Sequence, residues 1–389
     1  MRICFVSNSA GRYGSEIALL ELLKGLLKLN VECLVLLPEK GPLTVDLDRL
    51  NIQWRIINYP PWISGRKSIL QRLARILKAL VMTVSVARVI TRWRCDVIYT
   101  NTIWTGTGAL AAWLTGKPHI WHFHESGQHN FGVKFDLGLH LAMWLMSHLS
   151  VLIIVVSRSL QDDYARYIKR DKLRLVYQSV TIADEIEKAN RLSPNNQIFQ
   201  CVLVGSVHPL KRQDEAIAAL FEVIRRGINA QLLVVGDGSK RFKAALRQQV
   251  EDYGLTQQVK FTGYLENPVS VMCKADVVLM CSRWEAFGRA TVEAMLAGKP
   301  VIGTANSGGT AELIQDGITG LLYKAGDHDE LANKIQFLYE NPQEKLKLGA
   351  AARLWAAGRF TRERYAKETF TLLNEVLMME KTSPPDPSN

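Results

Sequence analysis

Short apolar runs alternate with longer stretches of helical period, and the alternation occurs twice in succession. In the first half the strand candidates are Arg2–Ser7, Val31–Leu37, Asp96–Thr100, His119–Phe123 and Val151–Val156. Helical stretches such as Ser15–Leu29 and Val133–His148 fall between them. Nearly continuous apolar strands separated by helices imply a parallel sheet covered on both faces, since parallel strands need a crossover connection. A second series follows with Ile198–Gly205, Leu232–Gly236, Val259–Phe261, Val277–Met280 and Val301–Ile302. Between the two series, residues 181–197 are polar, contain Ser193-Pro194-Asn195-Asn196, and read as a linker. The expected architecture is α/β, with two Rossmann-like, doubly wound domains at residues 1–180 and 198–358. Sheets of this kind bind ligands at the carboxyl ends of their strands, so a deep cleft is expected where the two domains face each other. A helix over residues 359–380 is expected to pack back on the first domain, and residues 381–389 form a Ser/Pro/Asp tail expected to be disordered.

The composition, 48% hydrophobic and 22% charged, is that of a soluble globular protein. Six scattered cysteines with no Cys-x-x-Cys pair read as free thiols in a reducing compartment. Met1-Arg2-Ile3-Cys4-Phe5 enters a strand directly, without the pattern of a secretory leader, so the expected location is cytoplasmic. No apolar run approaches the roughly 20 residues that span a bilayer. The net charge of +11 is unevenly placed: residues 1–180 hold 23 Lys and Arg against 12 Asp and Glu, while residues 181–389 hold 25 of each. No acid occurs between Asp48 and Asp96. Across residues 66–94, basic residues alternate at helical spacing with Ile69, Leu73, Ile76, Leu77 and Leu80. Two readings stand: a peripheral helix on an anionic membrane surface, at the inner face of the membrane, or a core-packed helix with a solvated basic face. Nucleic acid is not an expected partner, because the stretch carries no reader motif.

The segment Glu285-Ala286-Phe287-Gly288-Arg289-Ala290-Thr291-Val292-Glu293 sets two carboxylates eight positions apart around a helix start that follows the Val277–Met280 run. A helix N-terminus favours an anion, and acids on either side of it can bind hydroxyls, an arrangement suited to a nucleotide-activated sugar. Gly14, after the first strand, allows close backbone approach at another helix start. Lys211 and Arg212, after Val202-Leu203-Val204-Gly205, are candidates to neutralise a diphosphate. Each also has an ordinary structural reading as a turn or a solvated helix start. Gly236-Asp237-Gly238 and Phe261-Thr262-Gly263-Tyr264 are candidates for the ribose and base, and Ser307-Gly308-Gly309 is a second loop open to a ligand.

Alternation places His122 and His124 on one face of a strand, with His124 at its carboxyl end. His124 is a candidate for a sugar hydroxyl, and His119 and His122 read as structural. No metal site is expected, because no cysteine or carboxylate cluster completes the histidines. Asp327-His328-Asp329 resembles a metal-nucleotide motif but reads better as a helix N-cap at Asp327. Gly106-Thr107-Gly108-Ala109-Leu110-Ala111 resembles a dinucleotide fingerprint but is not on the first strand of its domain.

Taken together, Gly205 with Lys211, Val235-Gly236-Asp237-Gly238, Phe261-Thr262-Gly263, Ser282-Arg283-Trp284-Glu285-Ala286-Phe287-Gly288 through Glu293-Ala294-Met295-Leu296-Ala297-Gly298-Lys299-Pro300-Val301-Ile302, and Gly308-Gly309 with Glu312 resemble the retaining glycosyltransferases of family 4, group 1, which have the GT-B fold. The match in the first half, Gly14-Ser15-Glu16 and His124-Glu125, is looser. The resemblance implies that Glu293 binds the donor ribose and that Glu285 contacts the transferred sugar, assisted by the amides of Phe287 and Gly288. It also implies that Lys211 stabilises the leaving diphosphate, that Gly14 approaches that diphosphate and that His124 lies near the sugar. Glu285, His124 and Lys211 are thus the expected catalytic set. Ser206 stands where the family often has Arg, which leaves Lys211 and Arg212 to carry the phosphate charge. The implied activity is transfer of a hexose-type sugar from a UDP- or GDP-sugar to a glycan or lipid-linked acceptor, without cofactor or metal, in bacterial surface polysaccharide or glycolipid synthesis. A GT-B sugar-nucleotide epimerase, a phosphorylase and a non-catalytic binding protein of the same shape are the alternatives.

Overall fold

The computed structural model describes residues 1–65, 68–127, 134–182, 185–187 and 198–382. Most of the linker expectation at 181–197, most of the 381–389 tail, and residues 66 and 67 of the basic stretch lie outside the described residues. The chain divides into two compact units, Met1–Ser179 with the residues from Thr361 onward, and Val180–Phe360.

Among the described residues the first unit contains nine strands: β1 (Arg2–Ser7), β2 (Glu32–Leu37), β3 (Gln53–Ile56), β4 (Ile63–Ser64), β5 (Val97–Asn101), β6 (His119–Phe123), β7 (Lys134–Phe135), β8 (Leu152–Val155) and β9 (Leu173–Leu175). Seven of them form one parallel sheet in the order β3-β2-β1-β5-β6-β8-β9, and β4 and β7 form a separate antiparallel pair. The pleat divides the core in two. Ile3, Phe5, Val97 and Tyr99 pack with Leu19, Leu22, Leu23 and Leu26 of the Gly14–Lys28 helix. Cys4, Val6 and Ile98 face the other way, onto Val86, Val89, Ile90 and Trp93 of the Ile69–Trp93 helix. The Arg362–Thr382 helix packs against Gly14–Lys28, so it belongs to the first unit. The two helices approach so closely that a Cβ at Gly25 would stand 2.5 Å from the Ala366 methyl. Arg362 and Glu21 pair across the same contact at 2.8 Å.

The second unit holds β10 (Phe199–Val204), β11 (Ala230–Val235), β12 (Val259–Gly263), β13 (Val277–Met280), β14 (Val301–Thr304) and β15 (Leu321–Tyr323). They form a parallel sheet in the order β12-β11-β10-β13-β14-β15. Each sheet reverses direction of winding beside its first strand: β1 lies between β2 and β5, and β10 between β11 and β13. These switch points are where an open α/β sheet leaves a crevice at its carboxyl edge.

Three strands of the large sheets, β3, β9 and β15, are absent from the sequence reading. Each is an edge strand of three or four residues. An edge strand needs no continuous apolar run, so β3, Gln-Trp-Arg-Ile, is mostly exposed and carries no strand signature. The helix expected over Val133–His148 begins instead at Leu139, because Lys134–Phe135 is taken up by the ribbon with β4. Five of the six cysteines are buried and Cys273 is half-buried; all are free thiols. Among the described residues no helix is long and apolar enough to cross a membrane.

Candidate active site

Two groups of candidate residues lie at the switch points, one in each unit. In the second unit, β10 runs into Gly205 and a turn that ends in a short 3-10 helix, Pro209–Lys211. His208 caps that turn by accepting from the Leu210 amide at 3.2 Å. Arg212 takes a left-handed conformation, φ 52°, and its guanidinium pairs with Asp214 and Glu215 at the start of the Gln213–Arg225 helix. Lys211 points elsewhere: its Nζ pairs with Oε1 of Glu285, which also accepts from Ser282 Oγ at 2.6 Å. The lysine, the glutamate and the serine form one small polar cluster, although Lys211 and Glu285 stand 74 residues apart in the chain.

Glu285 is held by its backbone as well. Its amide donates to Ser307 O at 2.8 Å, and its carbonyl accepts from the Gly309 amide at 2.8 Å. This stitching accounts for the Gly308-Gly309 pair, since a Cβ at Gly309 would lie 2.4 Å from the Phe287 carbonyl oxygen. The loop expected to accommodate a ligand therefore owes its glycines to backbone packing. The same holds for Gly236-Asp237-Gly238, where a Cβ at Gly236 would stand 1.9 Å from Gly205 O. Phe287 is buried against Phe360, with ring centroids 5.7 Å apart. Gly288, at φ 88°, caps the Arg289–Leu296 helix, where the positive φ favours glycine. One turn into that helix, Glu293 accepts from Arg289 Nε at 3.0 Å. Burial pushes the Glu293 carboxyl above its ordinary pKa, and Arg289 opposes that shift. Asp327 accepts from the Glu330 amide at 2.9 Å and caps the His328–Glu340 helix, the role its position predicts.

In the first unit, Gly14 opens the Gly14–Lys28 helix, and a Cβ there would meet nothing within 4 Å. The fold itself does not require glycine at this position. His124 follows β6 and is buried; its Nε2 lies 2.8 Å from Asn101 Oδ1, and its Nδ1 has no partner among the described residues. Asn101 in turn donates to Ser15 O at 3.2 Å, tying the histidine to the Gly14–Lys28 helix start. The His122 and His124 rings are 4.0 Å apart, as strand alternation requires of residues on one face. His119 is bonded at both ring nitrogens, to Thr100 and Ser150, and His122 Nδ1 meets the Tyr99 hydroxyl at 2.7 Å. Burial lowers all three histidines, His119 and His124 to about 3, so their rings are neutral. Burial pushes the neighbouring Glu125 up to about 8. The Gly106-Thr107-Gly108 segment serves packing: a Cβ at Gly106 would strike the Trp62 ring at 2.6 Å, and one at Gly108 would strike Thr100 Oγ1 at 2.3 Å.

The family described as Glycosyltransferase Family 4 matches residues 13–183, and the family described as Glycosyl transferases group 1 matches residues 184–355. The two matches adjoin and take in every candidate residue above. The chain belongs to the glycosyltransferases of the group 1, family 4 type. Among relatives of this transferase, N-acetyl-alpha-D-glucosaminyl L-malate synthase of Bacillus anthracis is 27% identical over 60% of the chain. The 2-deoxystreptamine glucosyltransferase of Streptomyces kanamyceticus is 36% identical over 40% of it. These matches span 61% and 40% of the two relatives' own lengths. The solved structure of Anabaena HepE in complex with UDP-glucose covers 96% of the transferase and all of its own chain, at 26% identity and a TM-score of 0.81. The transferase thus has the two Rossmann-like domains of the GT-B architecture.

Ser282 lies within the motif that carries the resemblance, but its hydrogen bond to Glu285 is not evident from the sequence. Arg289 and Asn101, which hold Glu293 and His124, are not singled out there. Arg289 stands four residues before Glu293 on one helix, and that spacing is an available signal. Asn101 leaves none, since it meets His124 only through the pairing of strands.

Proposed function

We propose that the transferase moves a hexose-type sugar from a UDP- or GDP-sugar to a hydroxyl of a glycan or lipid-linked acceptor, with retention and without a metal or other cofactor. The observation that carries this reading is the cluster of Lys211, Glu285 and Ser282 at the carboxyl edge of the second sheet, beside a helix start that carries Glu293. As the anomeric C–O bond of the donor breaks, its electron pair passes to the phosphate oxygen. The Lys211 ammonium and the N-terminus of the Arg289–Leu296 helix are suited to stabilise that charge. Glu285 then accepts from hydroxyls of the sugar, and Glu293 from those of the ribose. The acceptor oxygen bonds to the anomeric carbon on the face the phosphate leaves, and its proton passes to the departing phosphate. In the first unit, His124 offers its unpartnered Nδ1 as an acceptor for a sugar hydroxyl. A panel of UDP- and GDP-sugars, with varied acceptors and chelator present, tests the reading by nucleotide release and by the anomeric configuration of the product. An inverted product overturns retention. Loss of turnover in chelator, restored by a divalent cation, overturns the metal-free reading. Binding without release across the whole panel favours the non-catalytic alternative, and release of an epimerised nucleotide sugar favours the epimerase.

A membrane-facing role for the basic helix has its own support. Its C-terminal half is core: Val86, Val89, Ile90 and Trp93 are buried. Its N-terminal half is not, for Ile69, Leu70, Leu73, Leu77, Leu80, Val81 and Val84 are exposed, with Leu70 at 78%. The core-packed alternative therefore covers only part of the helix. Arg72, Lys78 and Arg88 accompany the apolar side chains, and Trp113, on the Thr107–Leu114 helix packed alongside, is 67% exposed. Apolar side chains flanked by cations and an exposed tryptophan suit an anionic lipid surface. Co-sedimentation with vesicles containing phosphatidylglycerol is expected at low salt, and Leu73→Glu with Leu77→Glu is expected to abolish it; binding unaffected by the pair of substitutions would remove this reading.

A further inference from the structure

The ion pair at the start of the Arg289–Leu296 helix is badly placed if its purpose is stability. A cation in the first turn opposes the helix dipole. This helix has no acid in its first turn to offset Arg289. The pair also runs in the weaker order, with the base N-terminal to the acid at i,i+4. Both side chains are nonetheless largely withdrawn from solvent, 16% and 13% exposed, and the Nε–Oε1 distance is 3.0 Å. Glu185, on the 185–187 turn, adds a second negative charge near Glu293. Without the guanidinium, a buried carboxylate beside another acid takes up a proton and loses acceptor capacity.

We propose that Arg289 is a positioning residue for nucleotide recognition: it orients the Glu293 carboxylate to accept from the ribose hydroxyls of the donor. The inference rests on the proposed reading of Glu293 as the ribose clamp. It explains why this helix begins with an arginine whose Nε reaches along it to Glu293. Arg289 occupies one acceptor position on Oε1, and a carboxylate has about four in all, which leaves enough for two hydroxyls.

Binding of UDP and GDP, each against its 2′-deoxy analogue, tests this by calorimetry on the full chain. The wild-type protein is expected to prefer the ribonucleotide by about ten- to a hundredfold, the range of a hydrogen bond to a charged group. Arg289→Gln is expected to reduce that preference to about threefold or less, and Arg289→Lys to restore most of it. Added to Glu293→Gln, Arg289→Gln is expected to cost nothing further. If Arg289→Gln weakens ribo- and deoxyribonucleotide equally, Arg289 acts on the phosphates and the inference falls, with the ribose clamp intact. If the wild-type protein itself fails to discriminate, the reading of Glu293 falls first. Thermal melts of Arg289→Gln and Arg289→Lys within about 2 °C of wild type confirm that the comparison is made between folded proteins.

Discussion

At the carboxyl edge of the first sheet the polar groups are buried and neutral, whereas at that of the second they are charged and only partly covered. His122 and His124 near that edge, like His119 at the start of β6, are depressed by burial and bond to hydroxyls and an amide. Lys211 and Glu285, and Arg289 and Glu293, are opposite charges in contact. The difference follows from what each edge can bind. These paired charges are already largely withdrawn from solvent and matched, so exchanging a partner for a diphosphate or a hydroxyl adds little further desolvation. Neutral imidazoles in a dry setting suit uncharged hydroxyls, and a cation there would carry a large burial penalty.

Removing the charged edge should have the largest effect. Glu285→Ala leaves Lys211 without its partner and removes the proposed acceptor for the sugar, and Lys211→Met removes the cation proposed to face the leaving phosphate. Each is expected to lower kcat by about 10² to 10³, the range for a preorganised electrostatic contact. His124→Ala should cost less, about 10- to 100-fold in kcat/KM, because it removes a single neutral hydrogen bond and its orientation. Steady-state kinetics with one donor and one acceptor measures all three. Equal losses at the two edges would erase the distinction drawn between them.

The two edges should also part company when pH is varied. A histidine whose folded pKa lies below its unfolded value binds fewer protons when folded, so stability is lost as pH falls. For His119 and His124 the window runs from about 6.5 down to about 3, with a slope near 1.4 kcal/mol per pH unit for each histidine in mid-window. Glu125 has the opposite sign: its raised folded pKa favours the folded state at low pH, and that contribution is lost as pH rises from the ordinary carboxylate range to about 8, so it offsets part of the histidine effect. The first unit should therefore loosen on the acid side through its histidines, with Glu125 reducing the loss. Hydrogen exchange at pH 5 and pH 7 reads this directly. Amides of β6 should lose protection at pH 5 more than those of β13.

The contrast also explains what was legible in the chain. β1, β6 and β13 have the boundaries read from the sequence, since central parallel strands are apolar over most of their length, β6 with two buried histidines among its apolar residues. β3 is not legible because it is mostly exposed, and β15 because three apolar residues are too few to mark a strand. At the site, the spacing of Glu285 and Glu293 around Phe287-Gly288 was plain. That Lys211 meets Glu285, and Asn101 meets His124, was not, for those partners come together only when separate strands pair. The roles of Gly236, Gly308 and Gly309 went the other way. Sequence offered them to a ligand, and the structure uses them where one backbone passes another.

Gly14→Ala is the smallest change and the sharpest test of the neutral edge. Three glycines of the second unit, Gly236, Gly288 and Gly309, would each bring a Cβ within 2.6 Å of another atom, so alanine there is expected to destabilise. At Gly14 a Cβ meets nothing within 4 Å, and the residue is the first of a 15-residue helix. Alanine is the better helix former by up to about 1 kcal/mol in a helix interior and by less at the first position, so the melting temperature should hold or rise slightly. If the glycine is there to let a donor diphosphate approach the helix start, the added methyl should raise the donor KM about three- to tenfold while the melt is unchanged. A variant with wild-type KM and wild-type stability would mean that Gly14 serves neither fold nor ligand, and the first unit's proposed contact with the donor would then have to be sought elsewhere along Asn8–Tyr13.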